Sequence, residues 1–384
     1  MILTGVQLFQ LTGSDEEMGM QQGRQFKAQV PDILRVVSEL DDMKMAKPTW
    51  MPKPVFIALA KRRLSRPLWR DVKQFCPKQA SRLESLAKGA QVELRDVLFI
   101  SSLEMLIGNP HYMTGGCTSM AFDPSQTITG EAIVARNFDY RASLAPFQIA
   151  CYTKPKDRYL NISFKMAPVP GAIDGMNEHG LTLVYNNAFT TERIVHHVPL
   201  SMVIQEVLET CKTTSEAVDF VRDAKVGGHA ALLTIADATG AISVVELTPQ
   251  HKAVREAKNG MVVNSNHYQI EEMRKYQVPM DAILSGKSLN KGRRVHESSE
   301  RRLDRAHQML ATSHAVDETI IAAILRDHLG DSEPSRNTIC MHGPIASTMR
   351  STIFYPSRKA IKTLYGNPCE NEYEELRLED WTIH

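Results

Sequence analysis

Apolar residues recur at helical spacing through most of the first hundred positions of the chain. After an opening apolar strand, Ser14 can cap a helix that has Glu17 at its third position, which is the capping-box pattern. Apolar side chains then follow at intervals of three and four, at Phe26, Val30, Ile33, Leu34 and Val37. A loop rich in proline covers residues 47–54, and helical spacing returns over residues 55–106. The pattern predicts a helix-rich segment over residues 1–116.

The spacing changes to the alternation typical of strands after this segment. Strand patterns follow one another at residues 118–122, 133–139, 148–152, 159–164, 173–177 and 181–187. We expect these to be consecutive antiparallel strands. Two helices are predicted next, one from near Pro199 and one after Ser215. Strands return at 231–236 and 242–247, with 261–268 closing that meander, and the tail holds a hairpin of 351–356 and 359–364.

This order of elements favours an α+β fold. Two sheets packed face to face and covered by helices, a four-layer αββα sandwich, would bury the half-apolar faces of both strands and helices. We therefore divide the chain into a helix-rich N-terminal segment, residues 1–116, and a sandwich core, residues 117–384.

The composition limits which binding partners and which cellular compartment are expected for this protein. A hydrophobic content of 43% and a net charge of +1 are those of an ordinary globular protein, and no basic stripe suggests nucleic acid. No apolar run approaches the roughly 18 residues of a membrane span, and the N-terminus lacks a signal-peptide pattern. The six cysteines are scattered without a CxxC pair. We therefore expect a cytoplasmic protein with reduced thiols and neither a nucleic-acid nor a membrane partner.

The change from helix to strand coincides with a motif that suggests chemistry. Gly115 and Gly116 precede Cys117, and two glycines give a backbone that can adopt strained or positive-φ conformations. The pattern is expected where a chain cuts itself and leaves a cysteine as a new N-terminus, whose own α-amine then serves as its base. Arg136 and Asp139 lie at the end of the next strand. A buried structural thiol is the alternative interpretation of Cys117 alone.

Four motifs in a fixed order resemble a known group of enzymes. They are Gly116-Cys117-Thr118, Arg136-Asn137-Phe138-Asp139, the segment from Asp174 to Leu181, and Asn264-Ser265-Asn266-His267. The set resembles the cysteine N-terminal-nucleophile hydrolases, and within them the acyl-coenzyme A:6-aminopenicillanic acid (isopenicillin N) acyltransferase family. The choloylglycine hydrolases and acid ceramidase are similar more distantly.

The resemblance implies an αββα sandwich and a precursor that cleaves itself between Gly116 and Cys117. It implies that Cys117 supplies the nucleophilic thiol and the α-amine that accepts its proton. Asp139 would accept a hydrogen bond from that amine, and Arg136 would lie beside the thiol and favour the thiolate.

The same resemblance places further side chains around the reacting carbonyl. Either Asn186 or Asn187 would help to form an oxyanion hole, and Asn266 matches a second asparagine position of the family. The family also has a late arginine, for which Arg350 is the nearest candidate in this sequence.

These residues predict an amidase or acyltransferase that forms an acyl-Cys117 thioester on a small-molecule N-acyl amide. No cofactor is expected, although acyl-coenzyme A is open as a co-substrate, and a homo-oligomer is compatible with the sequence. Two alternatives stay open: a papain-type hydrolase that pairs Cys117 with His267 or His342 and leaves the chain intact, and a non-catalytic relative that only binds ligands.

No metal site is expected from the histidine pattern. The adjacent pair His196-His197, with His229 and His251 elsewhere, fits no helical HxxxH spacing, and no cysteine joins these residues. We interpret them as solvated or singly hydrogen-bonded side chains.

Overall fold

Two β-sheets lie face to face between two layers of helices in the computed structural model of the chain. The structure describes residues 2–3, 6–106, 116–227, 230–284, 291–329, 333–343 and 346–380. Thr114, Gly115 and His229 therefore lie outside the described residues.

The strands form one sheet of nine and one of six in the described chain. The strands of the larger sheet are β1 (Ile2–Leu3), β2 (Val6–Gly13), β5 (Gln148–Pro155), β6 (Asn161–Met166), β7 (Asp174–Asn177), β8 (Thr182–Ala188), β9 (Ala230–Ala236), β10 (Ile242–Leu247) and β11 (Lys252–Glu256), in this spatial order. The smaller sheet has the spatial order β12 (Met261–Asn264), β3 (Gly116–Phe122), β4 (Ile133–Arg141), β13 (Ala346–Tyr355), β14 (Ala360–Tyr365) and β15 (Glu374–Arg377).

The helices fall into three groups along the chain. They are α1 (Asp15–Phe26), α2 (Val30–Glu39), α3 (Asp41–Ala46), α4 (Lys53–Phe75), α5 (Pro77–Ala90), α6 (Leu94–Ser101) and α7 (Leu103–Leu106), then α8 (Leu200–Thr210) and α9 (Thr214–Asp223), then α10 (Glu271–Arg274), α11 (Glu297–Leu310) and α12 (Glu318–Leu325). Within the described part of the chain, no helix combines the length and the apolar character that crossing a lipid bilayer requires.

Three apolar clusters separate the four layers and confirm the αββα sandwich. The helices of the first two groups pack on the outer face of the larger sheet, where Val30, Leu83 and Val207 are fully buried. A second cluster, which includes Phe164, Val184 and Phe354, fills the space between the sheets. A third packs α11 and α12 against the outer face of the smaller sheet. Burial of both faces of each sheet is the arrangement that the sequence pattern requires.

The N-terminal segment begins as the sequence predicts. The Ser14 hydroxyl accepts a hydrogen bond from the Glu17 amide at 3.2 Å, and the Glu17 carboxylate accepts one from the Ser14 amide at 2.7 Å. Helix α1 then packs closely on α5 through Gly23, where an added Cβ would lie 2.2 Å from the Leu86 carbonyl oxygen. This contact fixes the position of the first helices over the larger sheet.

The N-terminal segment is also part of the sandwich, because β2 pairs in parallel with β5 from Gln7↔Ile149 to Gly13↔Pro155. The division of the chain at residue 116 stays a prediction, but its two parts share one sheet and one core.

Two expectations about strand order are wrong. The hairpin of β3 and β4 belongs to the smaller sheet, whereas β5 to β8 run through the larger one, so the strands from residue 117 to 187 do not form one meander. Strand β12 pairs with β3 rather than closing the β9–β10 meander, where β11 takes its place. Alternation identifies a strand but carries no information on its partner, and the residues of β11 are only half-buried.

Candidate active site

The hairpin of β3 and β4 brings Cys117, Arg136 and Asp139 together. Cys117 lies opposite Phe138 and Gly116 opposite Asp139 in the antiparallel register. Because successive side chains alternate between the faces of a strand, Arg136 and Asp139 point to opposite sides. Arg136 reaches Asp174 in the larger sheet, whereas Asp139 and Thr118 face the layer of α11. Cys117 therefore lies between a cation on one side and a carboxyl group on the other.

The thiol of Cys117 accepts a hydrogen bond from a fully buried arginine. Arg136 Nη2 donates to Cys117 Sγ at 2.9 Å, and Arg136 Nη1 donates to Asp174 at 3.0 Å. Arg350, the candidate late arginine, bonds the same Asp174 carboxylate at 2.5 and 2.7 Å and stacks on Phe164. Arg350 thus supports the position of Asp174 and, through it, Arg136, and no hydrogen bond links it to Cys117.

Burial dominates the ionisation of the thiol. It raises the pKa of Cys117 above the ordinary value, Arg136 lowers that pKa in opposition, and the Asp139 carboxyl raises it further. Burial therefore opposes the thiolate that the sequence analysis expects beside Arg136. A protonated thiol would need a base before it could attack a carbonyl.

Asp139 is a buried carboxyl group with a single described hydrogen bond. Thr348 Oγ1 donates to Asp139 Oδ1 at 2.7 Å, and within the described residues Oδ2 has no partner. Burial raises the pKa of Asp139 to about 6, although the nearby guanidinium of Arg302, the bond from Thr348 and Arg136 all act to lower it.

This raised pKa predicts a pH-dependent cost to stability. Between the unfolded pKa of 3.8 and the folded pKa of about 6, the native state binds more protons, so stability falls as pH rises through this window. In a Cys117→Ala background, Asp139→Asn should change the free energy of unfolding little near pH 4 and raise it by roughly 1–3 kcal/mol above pH 6. Denaturant titrations from pH 4 to 7.5 measure this difference, and a difference that does not vary with pH would contradict it.

Asn266 holds the backbone of Cys117. The Cys117 amide donates to Asn266 Oδ1 at 2.9 Å, Asn266 Nδ2 donates to the Asn187 carbonyl oxygen at 2.6 Å, and the Asn266 amide donates to Ser299 Oγ at 2.7 Å. The backbone nitrogen of Cys117 therefore faces Asn266 in this structure. The network fixes the orientation of the Asn266 amide, because its oxygen must face the donors on Cys117 and Arg302.

The arginine that contacts the Cys117 backbone is Arg302, on α11. Its guanidinium donates to the Cys117 carbonyl oxygen, to Thr118 Oγ1 at 3.0 Å and to Asn266 Oδ1 at 2.6 Å. Sequence reasoning missed Arg302 because it lies in a polar, basic helix with no motif around it. The sequence marks Arg302 only by its position in a helix downstream of Asn266. Other arginines of that helix share this position.

Position 116 requires a glycine because Arg302 lies so close to it, and not because the backbone adopts an unusual conformation there. Gly116 lies in the extended strand β3 and is not among the glycines with positive φ. A Cβ atom added to Gly116 would lie 2.5 Å from Arg302 Nη2 and 3.1 Å from Met341 Cε. Glycine is therefore the residue that lets the bond before Cys117 approach the guanidinium.

The two adjacent asparagines of β8 face opposite ways. Asn186 Nδ2 donates to the carbonyl oxygens of Asn264 and Ser265, which ties β8 to the end of β12. Asn187 lines the same cavity as Cys117 and offers its carbonyl oxygen to Asn266. Of the two candidates, Asn187 is the one that the fold places beside the thiol.

An apolar cavity opens beside the Cys117 thiol. Its walls come from the N-terminal helices, from β4 with the turn that follows it, and from the segment after β6, and include Ile33, Ile100, Phe138, Leu144, Met166 and Ile173. Glu104 lies in the same wall, where burial raises its pKa to about 7, and its carboxyl group accepts hydrogen bonds from Ser201. The wall beside the thiol is therefore mainly apolar, with Glu104 and Ser201 among its polar members.

The histidines proposed for a papain-type pair lie elsewhere. His267 Nδ1 is bonded to Ser299 Oγ at 2.7 Å, and His342 lies beside Cys340 and Cys369. Within the described residues, no histidine is hydrogen-bonded to Cys117.

The fold and this site define an α+β enzyme of the amide-hydrolase or acyltransferase class. The acyl-coenzyme A:6-aminopenicillanic acid acyl-transferase family model matches residues 127–370, and the chain belongs to this family. The match confirms the resemblance found in the sequence, and it begins downstream of Cys117 and of the Gly116–Cys117 bond.

Solved structures that are similar to the chain include a hydrolase, an amidase and an acylase. A variant of the conjugated bile acid hydrolase from Clostridium perfringens is 16% identical, with 69% of this chain and 93% of that one covered and a TM-score of 0.45. The Caenorhabditis elegans ortholog of N-acylethanolamine-hydrolyzing acid amidase is 18% identical, with 63% and 93% covered and a TM-score of 0.42. Penicillin V acylase from Agrobacterium tumefaciens is 15% identical, with 65% and 83% covered and a TM-score of 0.42. A comparison with curated protein sequences finds no significant match.

Proposed function

We propose that the protein is a self-processing N-terminal-nucleophile enzyme that cleaves or transfers the acyl group of a small amide through a thioester on Cys117. The observation that carries this proposal is the position of Cys117. Its thiol faces an apolar cavity and Arg136, while the amide nitrogen and carbonyl oxygen of the same residue are held by Asn266 and Arg302. An ordinary buried thiol needs none of these contacts.

In the proposed self-cleavage, the Cys117 sulfur attacks the carbonyl carbon of Gly116 and the Gly116–Cys117 amide becomes a thioester. The thiol proton moves to the departing nitrogen of Cys117, which becomes an α-amine. Water then hydrolyses the thioester, which leaves a carboxylate on Gly116 and the free thiol on Cys117. Asn266, whose oxygen already accepts a bond from that nitrogen, is positioned to hold it during the change.

In turnover, the α-amine of Cys117 takes the thiol proton, since its ordinary pKa of about 7.7–8.0 suits a base near neutral pH. The sulfur attacks the acyl carbon of the substrate, the C–N bond breaks, and the departing amine takes the proton that the α-amine had accepted. Water or a second amine then attacks the acyl-Cys117 thioester, which releases the acyl group and restores the thiol. Asn187 and Asn266 are the candidate donors to the oxyanion, and Asp139 is the candidate carboxyl group for orienting the α-amine once the cut has freed it.

The lining of the cavity supports an amide with an apolar acyl group as substrate. Aliphatic and aromatic side chains form most of the wall next to the thiol. Glu104 and Ser201 are two of its polar members, and they can accept a hydrogen bond from the substrate. Acyl-coenzyme A as acyl donor, and an amine rather than water as acceptor, belong to the same proposal because they use the same thioester.

A panel of N-acyl amides and acyl-coenzyme A thioesters tests this function directly. Rapid acid quench followed by mass spectrometry should find the acyl mass on the peptide that contains Cys117. Product analysis with and without an added amine then separates hydrolysis from transfer. Turnover without acylation of Cys117, or acylation of another residue, would contradict the proposal. Thiol alkylation without effect on ligand binding, and no turnover of any substrate, would favour the non-catalytic alternative.

The two products of the cut should stay together. Strand β2 is paired with β5 across the boundary, and the buried Arg82 of α5 donates to both oxygens of Glu209 on α8 at 2.7 and 2.9 Å. The N-terminal segment also supplies part of the cavity wall. Size-exclusion chromatography of the cut protein should give one peak that contains both fragments, which separate only in denaturant. A core that elutes alone and keeps full activity would contradict this prediction.

A further inference from the structure

Four side chains with metal-binding atoms converge at one end of the smaller sheet, away from the histidines considered in the sequence. They are His328, Cys340, His342 and Cys369, and one ligand atom from each lies within 4.8 Å of all the others. We propose that they bind one Zn²⁺ ion in a Cys₂His₂ site that holds the loops behind the candidate active site. This proposal is independent of the nucleophilic role of Cys117.

The distances between the ligand atoms fit a tetrahedral zinc ion. Cys340 Sγ and Cys369 Sγ are 3.5 Å apart, and His342 Nε2 lies 3.4 Å from the first sulfur and 3.3 Å from the second. Zinc bonds of about 2.3 Å to sulfur and about 2.0–2.1 Å to nitrogen, at tetrahedral angles, place neighbouring ligand atoms roughly 3.3–3.8 Å apart. His328 completes the set, with its ring 5.0 Å from that of His342 between centroids.

The chemistry of the set favours zinc over harder ions. Two thiols and two imidazoles are the ligands of structural zinc sites, and calcium and magnesium prefer oxygen ligands that this cluster does not supply. A supporting amide is present too, since Asn367 Nδ2 donates to Cys340 Sγ at 3.7 Å. Hydrogen bonds of this kind orient metal ligands and stabilise the charge on a thiolate.

The four ligands come from three separate parts of the chain. His328 follows α12, Cys340 and His342 precede β13, and Cys369 follows β14. No CxxC or HxxxH spacing joins them. They meet because the chain after β14 returns beside the end of α12, where Arg326 Nε donates to the Pro368 carbonyl oxygen at 2.8 Å. A zinc ion would therefore tie the outer helical layer to the edge of the smaller sheet.

Met341, between two of the ligands, connects the cluster to the candidate active site. Its amide donates to Thr348 Oγ1 at 2.9 Å, and Thr348 Oγ1 donates to Asp139 Oδ1 at 2.7 Å. Its side chain also lies against Gly116. The proposed ion thus has a positioning role for the loop beside Asp139 and does not touch the reacting atoms.

Metal analysis of the full-length protein, expressed without a polyhistidine tag in zinc-supplemented medium, tests the proposal. Mass-spectrometric elemental analysis for zinc, iron, copper and nickel should find about one zinc per chain. His342→Ala should lower the zinc content at least tenfold, whereas His314→Ala, which removes an exposed histidine outside the cluster, should leave it unchanged. Cys369→Ser is the second variant, because Cys369 is exposed and its replacement should leave the fold intact.

Three results of the metal analysis would overturn the zinc site. They are wild-type protein without zinc, zinc that stays bound in both His342→Ala and Cys369→Ser, and stoichiometric binding of a different metal. Peptide mapping without reductant that finds Cys340 and Cys369 joined as a disulfide in the wild-type protein would overturn it as well.

Discussion

Replacing Cys117 with alanine should leave a full-length chain with no detectable turnover. The substitution removes the sulfur that, in the proposed function, attacks first the Gly116 carbonyl and then the substrate. Loss of a nucleophile typically lowers kcat by a factor of about 10⁶ when the remaining groups act with it as a unit. We therefore expect at least a roughly 10⁴-fold loss of activity. A denaturing gel measures the cut, and initial rates on any substrate found in the panel measure turnover.

Cys211→Ala is the matched control for this variant. Cys211 and Cys117 are each 5% exposed and free, but Cys211 lies between α8 and α9, outside the candidate site. The control should be cut and active like the wild type. Cys117→Ser should be cut slowly, because a hydroxyl can perform the same attack less readily. A Cys117→Ala protein that is still cut at residue 116, or still active, would contradict the assignment of the nucleophile.

The second large effect is expected at Arg302. Arg302→Lys keeps the positive charge but loses the planar fork that donates at once to the Cys117 carbonyl oxygen, Thr118 and Asn266. Without that fork, both the Gly116–Cys117 bond and the Asn266 amide lose their fixed orientation. Loss of one oriented donor costs about 100- to 1000-fold in rate. We expect at least a roughly 100-fold fall in the rate of the cut and in kcat.

Arg305→Lys is the control on the same helix. Arg305 is partly exposed and donates to Asp327, away from Cys117. This variant should cut and turn over within about twofold of the wild type, since lysine keeps a cation opposite Asp327 and the pair lies away from Cys117. Circular dichroism establishes that both variants are folded. An Arg302→Lys protein with wild-type rates would contradict the role assigned to Arg302. Arg350 would then again be the candidate for the late arginine.

Local patterns in the sequence predicted the parts of the fold that depend on neighbours along the chain. The capping box at Ser14 and Glu17 is present, and the hairpin that carries Arg136 and Asp139 back to Cys117 is paired as expected. Helices α8 and α9 begin close to the predicted residues, and the turn between β13 and β14 lies where it was predicted, although β13 begins at Ala346 rather than at residue 351. Periodicity and turn residues specify such elements because their hydrogen bonds are made within short distances of sequence.

The parts that were missed depend on contacts between distant segments. The pairing of β12 with β3 and of β2 with β5 joins strands that no local pattern relates. Arg302 reaches Cys117 across 185 positions of sequence, and His328, Cys340, His342 and Cys369 meet without any motif spacing. Two questions about the named candidates also needed the fold. It puts Asn187 in the cavity wall with Cys117, whereas Asn186 bonds to the end of β12. It also shows that Arg350 bonds to Asp174.

The mass and N-terminal sequence of the freshly purified wild-type protein test the central claim most directly. The account predicts two fragments in denaturant, one that ends at Gly116 and one that begins Cys-Thr-Ser-Met, with the free amine on Cys117. A protein that is fully active as an uncut chain would contradict the account, because the proposed base for the Cys117 thiol exists only after the cut.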